Sequence, residues 1–381
     1  MSDNTQLHPF RVEIPQVELD DLARRLAGTR WPDRETVADS SQGAQLTKVK
    51  ALVEYWRSQY DWRRLEARLN GYPQFKTEID GLGIHFLHIR SPHADALPLI
   101  MTHGWPGSIV EFLDSIDPLV NPTAHGGAAK DAFHVVLPSI PGYGFSDKPT
   151  AKGWNRTRIA HAWHELMNRL GYPRYVAQGG DWGSVVTTEM GRLRLDGLAA
   201  IHVNLPFVVP QELPAELSAQ EQAALDQCGL FAADGIAYHD LQTTRPQTIG
   251  FSLADSPVGQ AAWIYEKLVS WSHSDGKAEG VFSNDQILDN ITLYWLTNSG
   301  ASSARMYAEH PGLNFGAVPL ELPVAVSVFP GEIYTPPKEW AEQAYSNLIY
   351  WNRVSKGGHF AAFEQPALFV AEVRAAFSSL R

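Results

Sequence analysis

Apolar residues recur at helical spacing through the first eighty positions, and after that they gather into short unbroken runs. Val17, Leu19, Leu22 and Leu26 mark one amphipathic helix, which Trp31-Pro32 ends. Val49, Leu52, Val53, Trp56 and Tyr60 line a face of a second, longer helix. From about residue 83 the runs GIHFLHI, LPLIMT, FHVVLPSI, RYVAQ and LAAIHVN stand between Gly/Pro turns. Helical patterns such as Ile159 to Leu170 and Ser184 to Leu195 separate several of them. Strands alternating with helices predict an α/β domain with a mostly parallel sheet covered on both faces. The rhythm stops near Pro206, and residues from about 208 to 315 read as helical and aromatic-rich. PVAVSVF (323–329) and LIYWNRV (348–354) resume the strands, and an amphipathic helix follows from Pro366 to Leu380. The predicted organisation is a helical arm over 1–82, a core over 83–207 and 316–381, and a lid inserted over 208–315.

Composition narrows the function. The chain has 381 residues, 44% hydrophobic and 19% charged, enough for a substantial core. Its net charge of −11 argues against a nucleic-acid binder, which needs basic surface for phosphate. The single cysteine, Cys228, excludes an intramolecular disulfide and a thiolate metal cage. A polar N-terminus and the lack of any long apolar run predict a soluble, cytoplasmic protein without a membrane span. The 12 Trp, 13 Tyr and 16 Phe exceed what a core requires and suggest an apolar binding cavity.

Four short motifs carry chemistry. Gly179-Gly180-Asp181-Trp182-Gly183-Ser184 follows an apolar run and precedes a helical one, the setting of a nucleophile elbow. Small residues two before and two after the nucleophile fit its tight turn, and here the nucleophile is aspartate in place of serine. A carboxylate needs no base to remove a proton before it attacks carbon. The same residue also reads as an ordinary helix N-cap. His103-Gly104-Trp105-Pro106-Gly107 ends the strand LPLIMT, where such loops supply an oxyanion-hole N–H. The donors would be the backbone N–H groups of Trp105 and Trp182, although the loop also reads as a plain turn. Glu332, in Pro330-Gly331-Glu332, and His359, in Gly357-Gly358-His359-Phe360, follow the last two strands. The order nucleophile, acid, base is the one expected when each sits beyond its own strand. His85 and His88 are three apart on a strand and face opposite ways, so they do not form a metal pair, and no cofactor is implied.

These residues resemble the epoxide hydrolases of the α/β-hydrolase fold, in their microsomal-type branch. The resemblance runs through PFRVEIPQVELDDLARRLAGTRWPD, HGWPGS, PSIPGYGFSDKP, GGDWGS, DSPVGQAAWIYEK and KGGHFAAFEQP, nearly the whole chain. It implies Asp181 as nucleophile, His359 as base and Glu332 as the acid that orients it. It also implies two lid tyrosines that donate to the epoxide oxygen. Tyr307 matches one and Tyr238 the other, with Tyr265 and Tyr294 as competing positions for the second. The substrate would be a small apolar epoxide with water, and the product a vicinal diol. A haloalkane dehalogenase shares the aspartate and histidine, and a binding protein that has lost catalysis would share the fold. Both stand as alternatives.

Overall fold

One nine-stranded sheet organises the computed structural model, which describes residues 5–274, 280–310 and 315–381. The strands are β1 (His8–Pro9), β2 (Gln74–Ile79), β3 (Leu82–Ile89), β4 (Leu97–Thr102), β5 (Phe133–Pro138), β6 (Tyr175–Gly179), β7 (Leu198–Val203), β8 (Val324–Val328) and β9 (Leu348–Arg353). Their order is β1-β2-β3-β5-β4-β6-β7-β8-β9. β1, β2, β3 and β5 pair antiparallel in turn, and the remaining pairs are parallel. Parallel strands are covered on both faces, which is why β6 and β8 are buried at every residue. The chain order turns back between β4 and β6, where Thr102 lies level with Gly179. Sites in open α/β sheets form beyond the carboxyl ends of strands at such a point.

The apolar runs became strands because their Val, Ile and Leu pack on both faces of the sheet. The N-terminal arm differs from expectation. Residues 1–82 carry α1 (Gln16–Ala27), α2 (Leu46–Ser58) and α3 (Trp62–Asn70), but also β1 and β2, which join the sheet's edge. Gln74-Phe-Lys-Thr-Glu-Ile79 is too polar for its alternation to announce a strand. Val17, placed by spacing on the buried face of α1, is 67% exposed, while Leu22 and Leu26 are buried. Tyr60 lies beyond the end of α2 and donates to Asp289 Oδ1 at 3.0 Å.

Within the core, α4 (Leu113–Val120), α5 (Arg156–Arg169) and α6 (Trp182–Arg192) cover the sheet. The insertion after β7 contains α7 (Ala219–Leu230), α8 (Ala237–Thr244), α9 (Pro246–Asp255), α10 (Pro257–Ser270), α11 (Asn284–Leu296) and α12 (Gly300–Ala308). A parallel bridge between Val209 and Gly316 joins its two connections to the core. The expected end of the lid at 315 abuts residues 311–314, which lie outside the described residues. After the insertion come α13 (Lys338–Ala344), α14 (Ala361–Glu364) and α15 (Pro366–Ala376), the last shorter than the helix expected to reach Leu380. No helix among the described residues is long and apolar enough to cross a membrane.

Candidate active site

The turn from β6 into α6 sets the position of Asp181. Its backbone has φ +51° and ψ −125°, a conformation that costs a residue with a Cβ roughly 1–3 kcal/mol. The flanking glycines make the turn sterically feasible. A Cβ on Gly179 would lie 2.1 Å from Gly183 O, and one on Gly183 would lie 1.9 Å from Thr102 O. Asp181 occupies the N-cap position, yet its side chain caps nothing in α6. The carboxylate is therefore free of the structural role that an N-cap would give it. Its Oδ1 instead accepts the Trp105 N–H at 2.8 Å, across from β6 to the loop after β4. Trp182 opens α6, so its N–H belongs to the first turn, where backbone donors have no intrahelical partner.

The Trp105 loop is held from below and above. His103 accepts the Ile140 N–H at Nε2, so the proton sits on Nδ1, which contacts Gly104 O at 3.0 Å. Burial pulls its pKa down to about 4, consistent with a neutral ring that fixes the loop. From the lid, Asn290 Nδ2 donates to Pro106 O at 2.7 Å and Tyr294 donates its hydroxyl to Gly107 O at 2.8 Å. Tyr294 is thus engaged with backbone.

Glu332 and His359 arrive from the loops after β8 and β9, which a bridge between Gly331 and Gly358 holds together. His359 Nδ1 lies 2.6 Å from Glu332 Oε1, and both side chains are buried. Glu332 Oε1 also accepts the Ile333 N–H at 2.9 Å. The other ring nitrogen, Nε2, is 3.4 Å from Asp181 Oδ2. Burial opposes a charge on His359, but the Glu332 and Asp181 carboxylates outweigh it and hold the imidazole well above its usual pKa.

Tyr238 from α8 and Tyr307 from α12 stand above the aspartate. Tyr238 stacks on Trp105 at 5.1 Å, and Tyr307 meets Trp105 and Trp182 edge-on at 5.8 and 4.9 Å. The two tyrosine rings are 5.8 Å apart. Among the described residues the Tyr307 hydroxyl has no hydrogen-bond partner. Burial, with the nearby Asp181 charge, pushes both phenols well above the ordinary range. Tyr265 is buried on α10. The structure thus brings Asp181, His359, Glu332, Tyr238, Tyr307 and the Trp105 N–H around one point.

Three groups near that point, half-buried Glu111 and buried Glu364 and Lys267, were not singled out in the sequence. Glu111 lines a chamber of about 20 Å³ with Asp181, His359, Gln178 and Asn204. That is room for one water. Burial, reinforced by Asp181 and opposed by His359, pushes the Glu111 carboxyl up to about 8. Glu364 accepts the N–H groups of Phe360 at 3.1 Å and His273 at 2.9 Å, and burial raises it to about 7 despite them. Lys267 lies behind Tyr238. A wider groove of about 930 Å³, between α1 and the start of α10, has none of the reactive groups in its lining, so size alone does not mark the site. No group of metal-ligating side chains occurs among the described residues.

Residues 7–112 match a family model described as epoxide hydrolase N terminus, and residues 98–372 match one for the alpha/beta hydrolase fold. A protein of Stigmatella aurantiaca, provisionally named an epoxide hydrolase, is 61% identical over 98% of this chain and 85% of its own. Epoxide hydrolase 1 of Sus scrofa is 35% identical over 98% of this chain and 89% of its own. The solved structure of an Aspergillus niger epoxide hydrolase is similar with a TM-score of 0.88 and 34% identity, over 100% of this chain and 98% of that one.

Proposed function

This chain belongs to the epoxide hydrolase family, and from that membership we propose that it opens its substrate through a covalent ester on Asp181. The observation that carries this reading is the pair of contacts on the Asp181 carboxylate. Oδ1 is bound by the Trp105 N–H, and Oδ2 faces His359. Oδ2 is then the attacking oxygen. It bonds to a ring carbon, the strained C–O bond breaks, and the epoxide oxygen takes a proton from Tyr238 or Tyr307. Two neutral phenols suit this task because they stay protonated until an alkoxide develops.

Esterification switches the histidine. The Asp181 anion is one of two charges that keep His359 protonated, and the ester removes it. The imidazole pKa falls, and His359 becomes a base for water. Water attacks the ester carbon, and the charge that develops on Oδ1 rests on the N–H groups of Trp105 and Trp182. Cleavage between that carbon and Oδ2 releases the diol, its oxygen taking the proton that His359 drew from water, and the proton of the new Asp181 carboxyl passes to His359. Glu332 fixes the imidazole's direction throughout. Trp105, Trp182, Trp263 and Trp271 surround the reacting groups with apolar surface, which favours a small apolar epoxide.

A His359→Gln variant tests the two-step scheme. It should alkylate and then stall, so intact-mass spectrometry should show protein plus one substrate. Sustained diol formation with no adduct would remove His359 from its role.

A further inference from the structure

A lysine is buried directly behind the tyrosines. Lys267, on α10, is 6% exposed, and burying an unpaired ammonium there would be costly. Its Nζ lies 2.6 Å from Glu266 Oε2, a carboxylate that retains access to solvent. On the other side Nζ stands 4.6 Å from the centre of the Tyr238 ring and 5.2 Å from that of Trp271. Both distances are within the range of cation–π attraction. The Glu266 carboxylate also acts on Tyr238, disfavouring its ionised form, while the ammonium is the group that stands over the ring.

Tyr238 has need of a cation. Burial and the carboxylates of Asp181, Glu266 and Glu332 make its phenol a reluctant acid. Alkylation nevertheless asks it to give up a proton, and the negative charge left behind spreads into the ring beside Lys267. A nearby opposite charge favours the ionised form. We infer that Lys267 is a positioning residue for alkylation, stabilising the Tyr238 phenolate that forms as the epoxide oxygen is protonated. The inference rests on Tyr238 as a proton donor. The step balances. The bond from Asp181 Oδ2 to carbon forms, the ring C–O pair moves onto oxygen, and that oxygen takes the phenolic proton. The proton that His359 surrenders once Asp181 is esterified then restores the phenol.

The test is a double-mutant cycle on single-turnover alkylation, with Lys267→Met, an uncharged side chain of similar length, placed in the wild-type and Tyr238→Phe backgrounds. In the wild-type background Lys267→Met should slow alkylation about tenfold, as expected for loss of a desolvated cation–π contact. Ester hydrolysis should be unchanged, and Lys267→Arg should retain most of the rate. In the Tyr238→Phe background Lys267→Met should add nothing. The transient ultraviolet absorbance of tyrosinate should fall in Lys267→Met. Should that variant fold poorly by circular dichroism, Lys267→Gln takes its place. Equal slowing in both backgrounds would reduce Lys267 to a packing role, and no slowing beside an impaired Tyr238→Phe would overturn the inference. Wild-type alkylation by Tyr238→Phe would instead sink the donor reading beneath it.

Discussion

Two side chains at the site have properties that their neighbours set. A strained turn directs the Asp181 carboxylate away from helix capping and onto the Trp105 N–H, the arrangement the proposed attack needs. His359 is held well above its usual pKa because two anions outweigh its burial. That balance gives a signed prediction. Glu332→Gln removes one anion that favours the imidazolium, so the pKa of His359 must fall. The acid limb of single-turnover ester hydrolysis should move to lower pH, while the rate on the plateau drops because the ring loses its orienting partner. A limb that stays in place or moves to higher pH would contradict the assigned electrostatics. Asp181, Glu332 and His359 were legible in sequence because each sits in a local glycine-bearing turn after an apolar run. Glu111 and Lys267 were not. Glu111 lies on a short turn of helix after the Trp105 loop, and only the folded chain sets it beside Asp181 and His359. Lys267 does fall four residues from both Trp263 on α10 and Trp271 just past its end, a faint signal that a lysine there meets aromatic rings.

At the scale of elements, the histidine loop and the lid are sewn together by backbone. The His359 N–H donates to Trp271 O at 3.0 Å, the Gly357 N–H to His273 Nδ1 at 3.2 Å, and Glu364 receives donors from both sides. Glu364→Ala would leave the buried Phe360 N–H without a partner, at a cost of about 1–3 kcal/mol, and would free the partly buried His273 N–H. The expected result is a lower Tm with ester hydrolysis slowed more than alkylation, since the base moves and the nucleophile does not. Equal slowing of both steps, measured by rapid-quench mass spectrometry, would show that the strap does not act through His359. Strands were the most readable elements, because β4, β5, β6 and β8 are buried on both faces and their residues must be apolar whatever lies beside them. The edge strand β1 and its neighbour β2 escaped notice because β1 is only two residues long and β2 carries polar residues at most of its positions. Helix α1 was legible in extent but not in full facing, as exposed Val17 shows.

At the scale of the molecule, the sheet brings Asp181, Glu332, His359 and the Trp105 loop together beyond the carboxyl ends of its strands. β4 and β6 run parallel and end level, so the Trp105 loop and the Asp181 turn leave the sheet side by side. β8 and β9 end beside them with Glu332 and His359, and the insertion after β7 brings Tyr238 and Tyr307 down from above. The sequence indicated this arrangement through the order of its motifs, while the pairing of Tyr238 with Trp105 and the chamber beside Asp181 arise only from packing. The central claim is that the second diol oxygen comes from Asp181 and not directly from water. One turnover in water enriched in oxygen-18, with enzyme in excess over epoxide, separates the two. The account predicts an unlabelled diol and one heavy oxygen in the peptide that carries Asp181. Heavy oxygen in the diol, with none in that peptide, would contradict it.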